Sequence, residues 1–97
     1  MRELEEIRDE LRKSMPIFRD KYKVKTISVF GSYVRGEPGK GSDIDILVEF
    51  NETIDLFTFI ELEDFLSETL GVKVDLVMKD TLKPRIRDNI LREAVTV

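Results

Sequence analysis

One stretch of this chain, GSYVRGEPGKGSDIDILVEF from Gly31 to Phe50, leaves few folds open. Its first twelve residues hold four glycines, a proline and two serines, which suits a loop or tight turn and no regular element. The remainder is an apolar run that carries Asp43 and Asp45. A strand sends alternate side chains to opposite faces, so these two acids share one face while Ile44, Ile46, Val48 and Phe50 share the other. The apolar set demands a core on one side. The paired carboxylates ask for a ligand on the other, although a polar outer face on a half-exposed strand is the plainer reading of Asp43 and Asp45 taken alone.

The rest of the chain supplies that core. Leu4, Ile7, Leu11, Met15 and Phe18 recur at helical spacing, predicting an amphipathic helix over the first twenty or so residues, with a break or kink at Pro16. VKTISVF, Val24 to Phe30, is β-branched and reads as a strand ending at Gly31, and Ser32 to Arg35 fits one helical turn with Ser32 near its start. Thr53 or Asp55 caps a second helix to about Leu70, with Leu56, Phe59, Ile60, Leu66 and Leu70 inward and Gly71 as its stop. Its acids Glu61, Glu63, Asp64 and Glu68 read as a solvated face. VKVDLVM is a third strand whose Val72, Val74, Leu76 and Met78 oppose Asp75, and Pro84 opens a last helix with Ile86, Ile90 and Ala94 spaced by four.

A strand, helix, strand unit implies a parallel crossover, while the loop between the first two strands suits an antiparallel pair. The expected fold is therefore α/β (α+β): a small mixed β-sheet of three strands or slightly more, packed with helices, in one domain over residues 1–97. If the apolar strand faces meet the helices, Asp43, Asp45 and Asp75 all lie on the opposite face.

Composition narrows the chemistry. The 97 residues include no cysteine and no histidine, which excludes disulfides, thiolate nucleophiles, His-based triads and His- or Cys-ligated metals. Carboxylates must supply any proton acceptor or metal ligand, and they suit hard cations such as magnesium. A net charge of -4 argues against direct nucleic-acid binding, and no apolar run reaches the ~18 residues of a membrane span. The charged N-terminus MRELEEIRDELRK lacks a signal-peptide core, so a soluble, cytoplasmic protein is expected.

Two unit charges ~5 Å apart at an effective dielectric near 20 repel by roughly 3 kcal/mol, so the three acids call for protonation or divalent cations. Two metal ions held by shared carboxylates can clamp the attacking and leaving oxygens of a phosphoryl or nucleotidyl displacement, and Asp75 is the candidate base for the incoming hydroxyl. Upstream, Gly31 permits close backbone approach, Ser32 offers its N–H and hydroxyl to phosphate oxygens, and Arg35 and Lys40 add positive charge. Ser32 as a mere cap and Arg35 and Lys40 as ordinary loop charges stay open; Tyr33 suits packing as well as function. GEPGKGS is not a P-loop, because Lys40 is followed by Gly41 and Val34 occupies the position of the first motif glycine.

These residues resemble the signature of the nucleotidyltransferase superfamily that includes DNA polymerase beta: Gly31 and Ser32, the ten residues Tyr33 to Ser42, then Asp43, Ile44 and Asp45, with Asp75 as third acid. The whole chain resembles the minimal nucleotidyltransferases (MNT), through its leading helix, SDIDILVEF and the ending LKPRIRDNILREAVTV. It departs in GSYVRG, where many members read GSRARG. The resemblance implies a polymerase beta-like fold, two magnesium ions bound by Asp43, Asp45 and Asp75, ATP held by Gly31, Ser32, Arg35 and Ser42, and a HEPN-domain ribonuclease toxin as partner. The implied activity is AMP transfer to a toxin hydroxyl, tyrosine in first place, making the chain an antitoxin. Two alternatives are a non-catalytic antitoxin acting by contact and an adenylyltransferase acting on a small molecule.

Overall fold

The computed structural model describes residues 3–36 and 43–97. The first helix, α1 (Leu4–Tyr22), buries Ile7, Leu11, Met15, Phe18 and Tyr22, spaced by four, four, three and four. It runs through Pro16 without interruption, against the expected break. A proline inside a helix costs about 3 kcal/mol, whereas each fully buried Phe- or Leu-sized side chain returns about 1.5–3 kcal/mol. Beyond Pro16, Phe18 and Tyr22 pack on the ring of Phe65 at centroid distances of 5.6 and 5.9 Å. That packing holds the last turns. Lys23 then closes the helix in the left-handed region (φ 59°), its N–H donating to the carbonyl of Phe18.

Strand β1 (Val24–Phe30) follows, then a 3-10 turn over Gly31–Tyr33, strand β2 (Ile44–Phe50) and helix α2 (Leu56–Leu70). Asp55 is the cap that forms: its carboxylate accepts from the Thr58 N–H at 2.7 Å, which holds its pKa below the ordinary value. Gly71 ends the helix at φ 68°. The buried stripe is Leu62, Leu66 and Leu70, with Phe59 and Phe65 packed against it. Leu56 and Ile60, expected inward, are 68% and 44% exposed. At 100° per residue Ile60 lies about 160° around the helix from Leu62 and about 120° from Leu66, and Leu56 about 120° and about 80°, so both sit off the line that Leu62 and Leu66 define.

Strand β3 (Val74–Met78), helix α3 (Pro84–Glu93) and a two-residue strand β4 (Val95–Thr96) complete the chain. The sheet order is β3-β2-β1-β4, with β2 and β3 parallel and the other pairs antiparallel. Strand β4 makes the sheet slightly larger than three strands, as the expected fold allows, although no pattern in the sequence marks its position. Ala94 leaves the helix for extended backbone (ψ 137°), and β4 is fixed from outside its own sequence: Val97 N–H donates to Ile27 O at 3.0 Å and Arg8 Nη2 to Thr96 O at 3.1 Å. Helix α3 itself buries no residue, and Ile86 is 50% exposed.

Helices α1 and α2 share one core with the sheet face of Val24, Ile27, Val29, Ile44, Ile46, Val48, Val74 and Leu76. Helix α2 also covers the free edge of β3: Glu63 Oε2 accepts from Leu76 N–H and Ser67 Oγ from Val74 N–H, both at 3.0 Å. Glu63 is therefore a sheet-edge acceptor, not part of a solvated face. An edge donor satisfied in this way is withheld from pairing with another chain.

In urea unfolding, Leu66→Ala should lower stability by about 2–5 kcal/mol through transfer and cavity terms. Leu56→Ala should stay within about 0.5 kcal/mol of wild type. Equal losses would mean that the helix faces are misassigned.

Candidate active site

The sheet register assembles the site. Parallel pairing matches Ile44 with Val74 and Asp45 with Asp75, and antiparallel pairing matches Phe30 with Asp45. Neighbouring strands lie about 4.8 Å apart, so the Asp45 and Asp75 side chains stand side by side on one face. Asp43, the residue before β2, is two positions away on the same alternation. Because β1 runs opposite to β2, its last residue delivers the 3-10 turn to the end of the sheet where the acids lie.

That turn fits tightly against Asp45. Gly31 has φ +81°, and a Cβ built there would collide with Asp45 Oδ2 and lie 3.0 Å from Asp45 Cγ. Only glycine permits both the backbone angle and the approach. The Gly31 carbonyl accepts from the N–H groups of Val34 and Arg35 at 3.1 and 3.2 Å, which folds Arg35 back over the turn. Arg35 Nη1 donates to Glu93 Oε1 at 2.6 Å. Ser32 is half-buried beside the turn, whereas Tyr33 is 7% exposed and belongs to the core. Lys40 and Ser42 lie outside the described residues.

The electrostatics are lopsided. Burial raises the pKa of Asp45 above its ordinary value of 3.8, the charges of Asp75 and Asp43 raise it further, Arg35 opposes them, and Glu93 adds a small push upward. Asp43 has Lys73 Nζ at 3.9 Å, a loose pairing because Lys73 is 80% exposed. Asp75 is exposed. Among the described residues no three acidic side chains are grouped so as to hold a metal ion as they stand. The register makes Asp45 and Asp75 neighbours; like-charge repulsion works against drawing the carboxyl groups into a closed cage. The donor set nevertheless has the chemistry of a hard-cation site, carboxylate oxygens on adjacent strands.

Glu93 is the site residue that sequence reasoning missed. It sits in the last turn of a helix that reads as merely amphipathic, and only the pairing of β4 with β1 carries it to Arg35.

Similarity to known proteins follows the same outline. The model of the nucleotidyltransferase domain family matches residues 5–97. A Methanocaldococcus jannaschii protein with a provisional protein adenylyltransferase name is 53% identical over 98 residues, covering 100% of both chains. The protein adenylyltransferase MntA of Thermococcus cleftensis is 51% identical over 94 residues, covering 97% of this chain and 95% of its own. Among solved structures, one described as a candidate minimal nucleotidyltransferase superposes with TM-score 0.84 at 35% identity, covering 99% of this chain and 97% of that one. A toxin–antitoxin complex with AMP-PNP gives TM-score 0.69 at 30% identity, over 93% of this chain and 68% of that one. A complex of tri-AMPylated Shewanella oneidensis HEPN toxin with MNT antitoxin gives 0.67 at 26% identity, over 93% and 70%.

Two outcomes follow from the geometry. A carboxylate whose pKa is raised by folding binds more protons in the native state than in the unfolded one, so its contribution is favourable in acid and fades as pH rises through its native pKa. Without divalent cations, Asp45→Asn should therefore match wild type in acid and become more stable than wild type as pH rises above the ordinary carboxylate range, read by thermal unfolding across pH. A gap that narrows with rising pH would refute the raised pKa. Gly31→Ala should cost about 1–3 kcal/mol in the same assay from the left-handed backbone alone.

Proposed function

The chain belongs to the nucleotidyltransferase domain family, and on that premise we propose that it transfers AMP from ATP to a hydroxyl, in first place a tyrosine, of a partner HEPN toxin and so acts as its antitoxin. The observation that carries this reading is the Asp45–Asp75 register with the Gly31 turn pressed on the Asp45 carboxylate. Support comes from the relative named protein adenylyltransferase MntA and from the neighbouring complexes with AMP-PNP and with an AMPylated HEPN toxin.

The roles follow from position. Gly31 lets the triphosphate approach the backbone, the Ser32 hydroxyl donates to a phosphate oxygen, and Arg35 offsets phosphate charge; Ser42 and Lys40, outside the described residues, are assigned to the same phosphate binding from the sequence alone. Asp43, Asp45 and Asp75 would hold two magnesium ions, which would offset the charge of the phosphates. Asp75, on the exposed side, accepts the proton of the incoming hydroxyl. The hydroxyl oxygen forms a bond to the α-phosphorus, the bond from that phosphorus to the β-bridging oxygen breaks, and pyrophosphate leaves. Partial burial beneath the Gly31 turn lowers the screening around Asp45, so its negative charge attracts a cation more strongly than it would in bulk water. Among the described residues no helix is long and apolar enough to cross a membrane, and we place the reaction in the cytoplasm, where a ribonuclease toxin would act.

With magnesium and α-labelled ATP, Asp75→Asn should transfer label to the partner about 10²–10⁴-fold more slowly than wild type while still binding the partner. Asp43→Asn with Asp45→Asn should abolish transfer and neutralisation together. Neutralisation retained in that double variant would favour an antitoxin that works by contact alone.

A further inference from the structure

The Arg35–Glu93 contact has no structural need. It joins residues 58 apart in the chain, at 2.6 Å, with side chains 52% and 24% exposed. Part-exposed pairs of this kind add little to stability. Nor does Glu93 help the core, because α3 buries no residue. It even places another negative charge near Asp45, a group already facing Asp75 and Asp43. A chain selected for stability alone would not put an acid there.

The backbone fixes where that acid sits. Glu93 precedes Ala94 and β4, whose Val95 and Thr96 pair with Val29 and Ser28 of β1. Val97 N–H to Ile27 O and Arg8 Nη2 to Thr96 O tie the same segment down on either side of β4. The strand that receives β4 is the one that leads into Gly31. Glu93 and the phosphate-facing turn are thus two ends of one hydrogen-bonded frame.

We infer that Glu93 is a positioning residue for nucleotide binding: it anchors the Arg35 guanidinium through Nη1 so that the fork is already aimed at the triphosphate when ATP arrives. The inference rests on the transferase reading above. Arginine carries five N–H donors in a rigid plane, so fixing one nitrogen sets the direction of the others. A long side chain ordered before binding has less rotamer freedom to lose on binding.

The test uses the full chain, with Glu93→Ala, Glu93→Gln, Arg35→Ala and the Arg35→Ala/Glu93→Ala double variant, each checked for thermal unfolding. Three quantities are read: Kd for α,β-methylene-ATP with magnesium, and kcat and KM for label transfer. Glu93→Ala should raise Kd and KM about 3- to 10-fold, with kcat within about twofold of wild type. Glu93→Gln, which keeps an acceptor oxygen, should fall between wild type and alanine, and it carries the test alone if the alanine variant does not fold. In the Arg35→Ala background, removing Glu93 should change nothing further. Unchanged or lower Kd and KM in the Glu93 variants, a loss confined to kcat, or effects of Arg35→Ala and Glu93→Ala that multiply would each overturn the inference. Wild type that transfers label while the Glu93 variants match it sinks this inference alone. Wild type that binds the analogue but transfers nothing sinks the transferase reading and leaves Glu93 to be judged on Kd. Wild type that does neither sinks both.

Discussion

Everything else in this fold answers to two carboxylates held side by side. The parallel pairing of β2 and β3 sets Asp45 beside Asp75, and Asp43 lies on the same alternation. Like-charge repulsion between them opposes folding when both members are charged, most at the partly buried Asp45 and less at the exposed Asp75, where solvent screens it. The chain accepts this within a total stability on the order of 5–15 kcal/mol. It is an arrangement that makes sense when a divalent cation and a polyphosphate complete the site.

The core is arranged to carry that load. On the helix-facing side, Ile44 and Ile46 flank Asp45 in sequence and are fully buried, so β2 cannot slip by one residue without turning both into water. Phe18, Tyr22 and Phe65 secure α1 beyond its proline, and α2 both fills the core and covers the free edge of β3 through Glu63 and Ser67. At the far edge, β4 pairs with β1 and is held by Arg8. The acids sit on a sheet whose two outer strands are both tied to helices.

What the sequence disclosed and what it hid divide along physical lines. Period-two alternation in DIDILVEF and VKVDLVM is strictly local, and it placed Asp43, Asp45 and Asp75 on one face with the aliphatic residues opposite. The glycine at position 31 was equally legible, although the reason for it, the contact with Asp45, is tertiary. Helix α2 was harder because apolar residues occupy most of its first turns. Leu56, Phe59 and Ile60 imitate a core stripe, and packing against α1 and the sheet selects Phe59 with Leu62, Leu66 and Leu70. Strand β4 has two residues and no pattern of its own; it exists because β1 has a free edge and Arg8 reaches Thr96 O. Glu63 and Glu93 look like surface charges in the sequence, and each acquires its role from a partner more than ten residues away.

The most direct test of the account uses two labels. The chain, a HEPN-domain protein as the proposed partner, magnesium and ATP are combined, with the label at the α-phosphate in one sample and at the γ-phosphate in the other. Adenylyl transfer binds α label to the partner through a hydroxyl, with one AMP mass added per modified residue, while γ label leaves with pyrophosphate. Bound γ label would make the chain a phosphotransferase, and no bound label from either, with the complex intact, would leave the acid pair without the chemistry assigned to it.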